Sequence, residues 1–355
     1  MKRIAGFNVE TIEIPAQARS FKRYWWQFVV YPLLAIRASR SSGMVVLYQE
    51  DLSFLVPLVR AAGGKVCVFF HHVQRKGQAR GVLERLKELY VRAIRRQVAR
   101  ANLVLVESEV TSTELREVVP VAPERILIMP CPFEDKYSPL DEPTPGAARA
   151  RAREILKQHL GLDIGDAILL LNVGSDETRK NNVTLFRALA RMKRNDLVIV
   201  RAGQPFNLAN RKECTTLADE SGIRAHFLDS VSDEDLGYLY QAADMYVSAS
   251  LHEGFGRTVI EAQIAGIPVV ASNMPVYRAS MGDSFLPVSD PSDPDAWVSA
   301  INRLATDPAL ADRLIERGRV NARQYFSDVL CASLRDGLVK ATGADAANGK
   351  HTATK

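Results

Sequence analysis

Short apolar runs alternate with longer amphipathic ones along most of this chain. Residues 44–48, 66–70, 103–106 and 125–129 are compact runs rich in Val, Ile and Leu, and each reads as a buried strand. Residues 9–14 alternate apolar and polar as a strand does. Residues 51–62 read as a helix ended by Gly63-Gly64. Residues 81–98 carry apolar side chains at 82, 83, 86, 89, 90, 93, 94 and 98, the pattern of a helix with one buried face. Pro- and acid-rich residues 138–146 have linker chemistry. The alternation then resumes. Strands are expected at 167–173, 197–200, 224–228 and 243–249, and helices at 147–160, 183–192, from 232, and at 294–305, 309–325 and 328–341.

Strand–helix alternation on both sides of one linker predicts an α/β protein of two doubly wound Rossmann-like domains facing a cleft. The expected boundaries are 1–138 for the first domain and 139–165 for the linker and first helix of the second. The body of the second domain is 166–326. A C-terminal helix at 327–341 can return to the first domain, and a small, polar tail at 342–355 is expected to be disordered.

One stretch organises the rest. Residues 243–249 form an apolar run, followed by the glycine-rich turn Glu253-Gly254-Phe255-Gly256. Val259, Ile260, Ala262, Gln263, Ile264 and Ala265 then recur at helical spacing until Gly266 and Pro268. Val269-Val270-Ala271 is a second strand. A parallel βαβ unit results, with glycine amides at the helix start able to face an anion. Upstream, the strand at 167–173 ends in Gly174 and a loop carrying Arg179 and Lys180. If both loops share one sheet edge, a cation on a flexible stem and aligned amides can hold a diphosphate from two sides. Neither a GxxxxGK[ST] loop nor a GxGxxG after the first strand is present.

Composition narrows the classes. At 355 residues and 47% hydrophobic content there is ample core for two domains. No run of 18 apolar residues exists, and no apolar N-terminal run ends in a cleavage site. Cys67, Cys131, Cys214 and Cys331 lack zinc or CxxC spacing, so a reducing cytoplasm without disulfides or structural metal is expected. Residues 1–150 hold 22 basic and 15 acidic side chains, whereas the remainder holds 24 and 26. Nine of the basic residues lie between Arg75 and Arg100, including Arg92, Arg95 and Arg96. Only Tyr90 is available there for base stacking, which argues against nucleic acid. A solvated face and attraction to anionic lipid both remain open. Residues 21–40 are aromatic, with an apolar centre and basic residues at both ends, and Pro32 interrupts them. They read either as an interfacial membrane segment or as an amphipathic helix packed on a sheet.

Glu253-Gly-Phe-Gly, Glu261 after seven intervening residues (an EX7E spacing), and the run to Pro268-Val-Val-Ala-Ser272 resemble the signature of retaining nucleotide-sugar glycosyltransferases of the GT-B fold, family 4 (group 1). Asn172-Val-Gly174 with Arg179-Lys180-Asn181 resembles that family's phosphate loop. Val231-Ser-Asp-Glu-Asp-Leu236 with Tyr240-Gln-Ala-Ala-Asp244 resembles its nucleobase strand and following helix. Leu105-Val-Glu-Ser108 and Arg125-Ile-Leu-Ile-Met-Pro130 resemble the end of its first domain.

The resemblance implies roles. Glu253 would hold sugar hydroxyls and support charge growing on the ring. His71, one of the pair His71-His72 after a strand, would reach donor sugar and acceptor. Glu261 would bind the ribose, and Val231 would meet the base through its backbone. Arg179, Lys180 and the amides of Gly254, Phe255, Gly256, Arg257 and Thr258 would take the diphosphate. No metal and no cofactor is implied beyond a GDP- or UDP-linked sugar as donor. The implied acceptor is a glycan or polyprenyl-linked sugar in polysaccharide biosynthesis, with the protein peripheral on the inner face of the membrane. The sequence departs from the pattern in three places, the mildest being Ser250-Leu251-His252 where a proline-serine commonly precedes the turn. Only eight residues precede Val9, where the family has a strand, a glycine-rich loop and a helix, and Ser175 stands where many members have a phosphate-binding arginine. A non-catalytic, glycosyltransferase-like binding or assembly subunit is the rival reading, which the intact Glu253, Glu261 and Lys180 oppose. A phosphorylase would need a lysine-held pyridoxal phosphate, for which no motif is visible.

Asp233-Glu-Asp235 and Asp293-Pro-Asp295 each spell a DxD metal motif. Ser232 and Ser292 precede them at helix starts, so N-capping accounts for both without metal.

Overall fold

The computed structural model describes residues 2–4, 7–9, 11, 21–41, 43–71, 82–133 and 137–342. The chain divides into two units, Met1–Pro130 with Asp328–Lys355, and Cys131–Ser327. The change of unit thus falls eight residues before the Pro-rich stretch expected to mark it.

In the first unit, β1 (Lys2–Ile4) and β2 (Phe7–Val9) pair antiparallel. The strand expected from Val9 onward lies for the most part outside the described residues. A continuous helical stretch follows, α1 (Phe21–Trp25), a π turn (Trp26–Val30) and α2 (Tyr31–Ser41). Pro32 does not interrupt it. The π turn covers Phe28, the residue whose carbonyl a proline ring at 32 would crowd in a regular helix. Next come β3 (Val45–Leu47), a 3-10 turn with α3 (Val56–Ala61), and β4 (Val66–Phe70). The unit continues with α4 (Val82–Gln97), β5 (Leu103–Val106), α5 (Glu109–Val118) and β6 (Ile126–Ile128).

Strands β3 to β6 form a parallel sheet in sequence order. Alternate residues face opposite sides, as strand geometry requires. Val66, Val68, Phe70, Val104 and Val106 pack with Val56, Val59 and Leu115, while Cys67, Leu103 and Leu105 pack with Leu330, Leu334 and Leu338. Those leucines belong to the C-terminal helix, Ser327–Thr342, which therefore covers the second face of this sheet. The approach is close: a Cβ at Gly337 would lie 2.3 Å from Leu127 Cδ2.

The face expected of α4 is only partly observed. Ile94 and Val98 are buried, but Leu89 and Tyr90 are 60% and 46% exposed. Arg95 does not belong to a free basic face. It pairs with Glu50 at 3.1 and 3.2 Å and lies 5.9 Å from the Phe70 ring centre. His72, Arg75, Lys76 and Arg80 lie outside the described residues. Among the described residues no helix is long and apolar enough to cross a membrane.

The second unit runs α6 (Pro145–Leu160), β7 (Ile168–Val173), α7 (Asn182–Met192), β8 (Leu197–Ala202), α8 (Leu208–Ser221) and β9 (Arg224–Leu228). It continues through α9 (Asp233–Ala242), β10 (Met245–Ser248), α10 (Arg257–Ile264) and β11 (Val269–Ser272). Then follow α11 (Pro275–Met281), β12 (Leu286–Val288), α12 (Pro294–Thr306) and α13 (Pro308–Arg323), with α14 being the C-terminal helix already described. Sequence periodicity does not mark α5, α8, α11 or β12. In α8, the run Leu208-Ala-Asn-Arg-Lys-Glu-Cys-Thr-Thr-Leu-Ala218 buries only Cys214 and Ala218.

All six strands are parallel, in the order β12-β11-β10-β7-β8-β9. The chain builds outward from β7 to β9, then returns to β10 and builds the other way. Strands β7 and β10 are neighbours, and the connections leaving their carboxyl ends diverge. This is the topological switch point at which open α/β sheets place ligands. Leu170, Val247 and Val270 carry the core beneath it, with Trp297 and Ile301 of α12 fully buried against them.

Candidate active site

The two loops singled out by sequence leave β7 and β10, so they are adjacent across the switch point. The Leu251 N–H donates to the Arg179 carbonyl at 2.7 Å and ties them together. Beneath, Gly203 has φ +139°, and a Cβ there would lie 1.7 Å from the Gly174 carbonyl oxygen. Only glycine lets the loop after β8 pass the loop after β7 so closely.

Glu253 is the centre of the arrangement. Lys180 Nζ lies 2.6 Å from its Oε1 and Arg179 NH1 lies 2.9 Å from its Oε2. The Ser250 hydroxyl also donates to Oε1 at 2.7 Å. Burial pushes this carboxyl up, but the charges of Lys180 and Arg179 and the hydrogen bonds from Lys180 and Ser250 outweigh it and hold the group below its ordinary value. Arg179 is braced further: its NH2 reaches Glu177 at 2.8 Å, and its NH1 donates to the His252 carbonyl at 3.2 Å.

The turn at Gly254, Phe255 and Gly256 owes its shape to packing. Phe255 is buried, its ring 5.2 Å from that of Tyr325 and 6.3 Å from that of Phe133. The side chain is an anchor, which leaves the backbone for polar contacts. Gly256 has φ +92° and begins α10, and a Cβ there would lie 2.4 Å from Tyr277 Cε1. The first N–H groups of a helix have no intrahelical acceptor, and the dipole favours an anion at that end. Arg257 lies 5.6 Å from the Phe133 ring centre and 3.8 Å from Glu261.

Glu261 sits one turn into α10 and is 5% exposed. The Tyr240 hydroxyl of α9 donates to its Oε2 at 2.8 Å. Burial first, and then the Glu261 charge, push the Tyr240 phenol well above its usual range, so it stays a donor. Tyr240 lies in a run that resembles the family pattern but is given no role by it, and Tyr277 carries no site signal in the sequence. Thr258 presents its carbonyl to Tyr240 at 3.4 Å. Val231 is half-buried in the loop after β9, at the same carboxyl edge as the loop carrying Arg179 and Lys180.

His71 belongs to the first unit, just past β4. Its Nδ1 is 2.9 Å from Glu107 Oε1 at the end of β5, and its Nε2 is 3.2 Å from the Tyr48 carbonyl. Both partners are acceptors, and the neutral ring donates to one of them at a time. The rings of Phe69 and Tyr48 flank the imidazole, with centroids 4.5 and 5.0 Å away.

Of the two DxD stretches, the first has the expected cap: Ser232 Oγ accepts from the Asp235 N–H at 3.0 Å, and Asp235 also contacts His159 at 2.8 Å. The second differs from expectation. Its cap is Asp293, which accepts from the Asp295 N–H at 2.9 Å, with Pro294 as the first helical residue; Ser292 lies outside. A carboxylate with Pro after it suits this start better than the serine one residue earlier.

Residues 153–321 match the family described as Glycosyl transferases group 1. The chain is 40% identical over 99 residues to an O-antigen chain mannosyltransferase B of Escherichia coli, covering 28% of this chain and 26% of that protein. It is 30% identical over 240 residues to a D-inositol 3-phosphate glycosyltransferase of Saccharomonospora viridis, covering 64% of this chain and 53% of that protein. The chain thus spans between about a quarter and about half of these relatives. Among solved structures, Anabaena Alr3699/HepE in complex with UDP and glucose superposes with a TM-score of 0.73 at 17% identity, over 89% of this chain and 82% of that one. The lipopolysaccharide-biosynthesis glycosyltransferase WaaG gives 0.68 at 20% identity, over 94% and 86%. The two α/β units have the fold of GT-B glycosyltransferases, and the match to the group 1 family lies within the second.

Proposed function

We propose that the chain is a retaining glycosyltransferase that moves a sugar from a nucleotide-diphosphate sugar to a glycan or polyprenyl-linked acceptor. One observation carries this reading above the others. Two cations, a helix N-terminus, the half-buried Glu253 and the buried Glu261 cluster where the chain leaves β7 and β10, at the switch point of a parallel sheet.

Their chemistry suits a departing diphosphate. Arg179, Lys180 and the amides from Gly254 to Thr258 take the negative charge that grows as the glycosidic bond to phosphate breaks. Fixed donors of this kind supply most of the stabilisation in such a step. Glu261 holds the ribose hydroxyls, Glu253 holds the transferred sugar, and Val231 meets the base through its backbone. His71 is assigned to the sugar and acceptor side. The reaction needs no metal on this account. The name of the E. coli relative makes mannose a candidate sugar, and the UDP-bound neighbour makes uridine a candidate base.

A peripheral contact with anionic membrane accompanies the proposal. Tyr24, Trp25, Phe28 and Leu33 are exposed along the 21–41 helical stretch, together with the basic Lys22, Arg37 and Arg40. Apolar and basic groups side by side are what an anionic bilayer surface takes up. Vesicles of phosphatidylglycerol should sediment the chain, and the Trp25→Ser/Phe28→Ser variant should stay in solution. Equal sedimentation of both contradicts this contact.

The reaction is tested by incubating the chain with UDP-glucose and GDP-mannose in EDTA and following the anomeric proton by NMR. Product or slow hydrolysis of unchanged anomeric configuration supports the proposal. An inverted product contradicts retention, and activity restored only by a divalent ion contradicts metal independence.

A further inference from the structure

Three residues before Arg179, the phosphate loop buries a charge that the reaction itself does not need. Asp176 is 1% exposed. Its Oδ1 accepts from Arg201 NH2 at 3.0 Å and Asn182 Nδ2 at 3.1 Å, and its Oδ2 accepts from Arg211 Nε at 2.5 Å. Its main chain is held as well. The Asp176 N–H donates to the Gln204 carbonyl at 3.2 Å, and its own carbonyl accepts from Asn210 Nδ2 at 3.0 Å. Arg211 continues to the Gly203 carbonyl at 2.9 Å and to the exposed Asp229 at 2.6 Å. Arg201 is itself 1% exposed, near the carboxyl end of β8, in which every residue is buried, and its NH1 donates to the Ala202 carbonyl at 2.6 Å.

Burying an ion pair seldom gains stability over well-packed apolar groups, because desolvating both charges costs about what their attraction returns. What such a cluster does supply is geometry. Here most of the links from Asp176, side chain and main chain together, run to β8, its loop and α8, and they pin the turn that delivers Arg179 and Lys180. A flexible turn carrying two cations would have to be ordered when an anion binds, and pre-ordering removes that cost.

We infer that Asp176, clamped by Arg201 and Arg211, is a positioning residue that holds the 174–182 turn so that Arg179 and Lys180 converge beside Glu253. The ligand arm of the test rests on the nucleotide-sugar reading; the exchange arm does not.

Three variants decide it: Asp176→Asn, the double variant Asp176→Asn/Arg201→Met, and Arg211→Met, which leaves Arg201 on Asp176 and serves should Asp176→Asn not fold. Amide hydrogen exchange is read for 174–182 against α12, and UDP and GDP affinity is measured against uridine and guanosine. The expected result is faster exchange confined to 174–182 in all three. Removing both partners should restore part of the melting temperature lost by Asp176→Asn alone, while diphosphate affinity stays about tenfold weaker and nucleoside affinity is unchanged. Unaltered exchange in 174–182 in the folded variants, or a double variant with wild-type exchange and affinity, overturns the inference. If the wild-type chain binds neither nucleoside diphosphate, the donor-site reading fails, and the exchange result still decides the role of Asp176.

Discussion

The Lys180 ammonium lies 2.6 Å from the Glu253 carboxylate, so the cation assigned to the diphosphate is held by the acid assigned to the sugar. Arg179 reaches the other oxygen of the same carboxylate. An incoming diphosphate therefore competes with Glu253 for both cations. Lys180→Met should weaken nucleoside diphosphate binding by about 1.5–3 kcal/mol, the range for hydrogen bonds to charged groups. Calorimetric titration of the wild type and variant with UDP and GDP checks this, and equal affinity refutes the role.

The same contact fixes a pH dependence. The folded Glu253 carboxyl is held below its ordinary value of 4.5. Its pairing stabilises the fold fully above that value, and the contribution is lost as pH falls below 4.5 through the folded value. Denaturant melts between pH 3 and pH 6 should show the wild type losing stability faster than Glu253→Gln on the acid side. Parallel curves would contradict the assignment.

Tyr240 and Glu261 make a testable pair. Tyr240→Phe removes the 2.8 Å hydrogen bond but leaves the ring packed against Tyr137 and Tyr246. The buried carboxylate then loses one donor, and nucleotide affinity should fall by about 1 kcal/mol. Titration with the nucleoside diphosphate that the wild type prefers measures it; an unchanged constant would show that the hydroxyl does not orient Glu261.

Gly256→Ala should lower both the melting temperature and nucleotide affinity. The left-handed φ of +92° and the 2.4 Å approach to Tyr277 both penalise a Cβ, by about 1–3 kcal/mol for the backbone alone. Melting curves with and without ligand separate the two losses. A variant that melts and binds as the wild type does would mean the turn relaxes freely.

Burial pushes the Cys67 and Cys214 thiols up to about 12. The thiolate is the reactive form, so both should resist iodoacetamide at pH 8, whereas the half-buried Cys131 and Cys331 should be labelled first. Peptide mapping by mass spectrometry reads the order, and early labelling of Cys67 or Cys214 contradicts the packing.

Much of this was legible in local pattern. The apolar runs of β4, β5, β7, β8 and β10 lie where buried parallel strands are expected, because strands covered on both faces read as continuous hydrophobic stretches. The loops carrying Arg179, Lys180 and Glu253 were also visible, since glycine and charge mark them. What sequence did not show is pairing over distance. Asp176 meets Arg201 and Arg211 from 25 and 35 positions away, and Arg95 leaves its basic helix face for Glu50. A signal did exist, because Arg201 interrupts the apolar run Leu197-Val-Ile-Val-Arg-Ala202, and a charge there needs a buried partner. The roles of the Tyr240 and Tyr277 hydroxyls were not legible, since a tyrosine among apolar neighbours reads as core until its hydroxyl partner is known.

The most direct test of a nucleotide-sugar site at this switch point is a thermal-shift comparison with UDP-, GDP-, ADP- and dTDP-sugars, using the wild type, Glu261→Ala and Lys180→Met. The account predicts that at least one of these sugars raises the wild-type melting temperature and that either substitution removes the rise. No shift with any of them, or a shift that survives both substitutions, would contradict it.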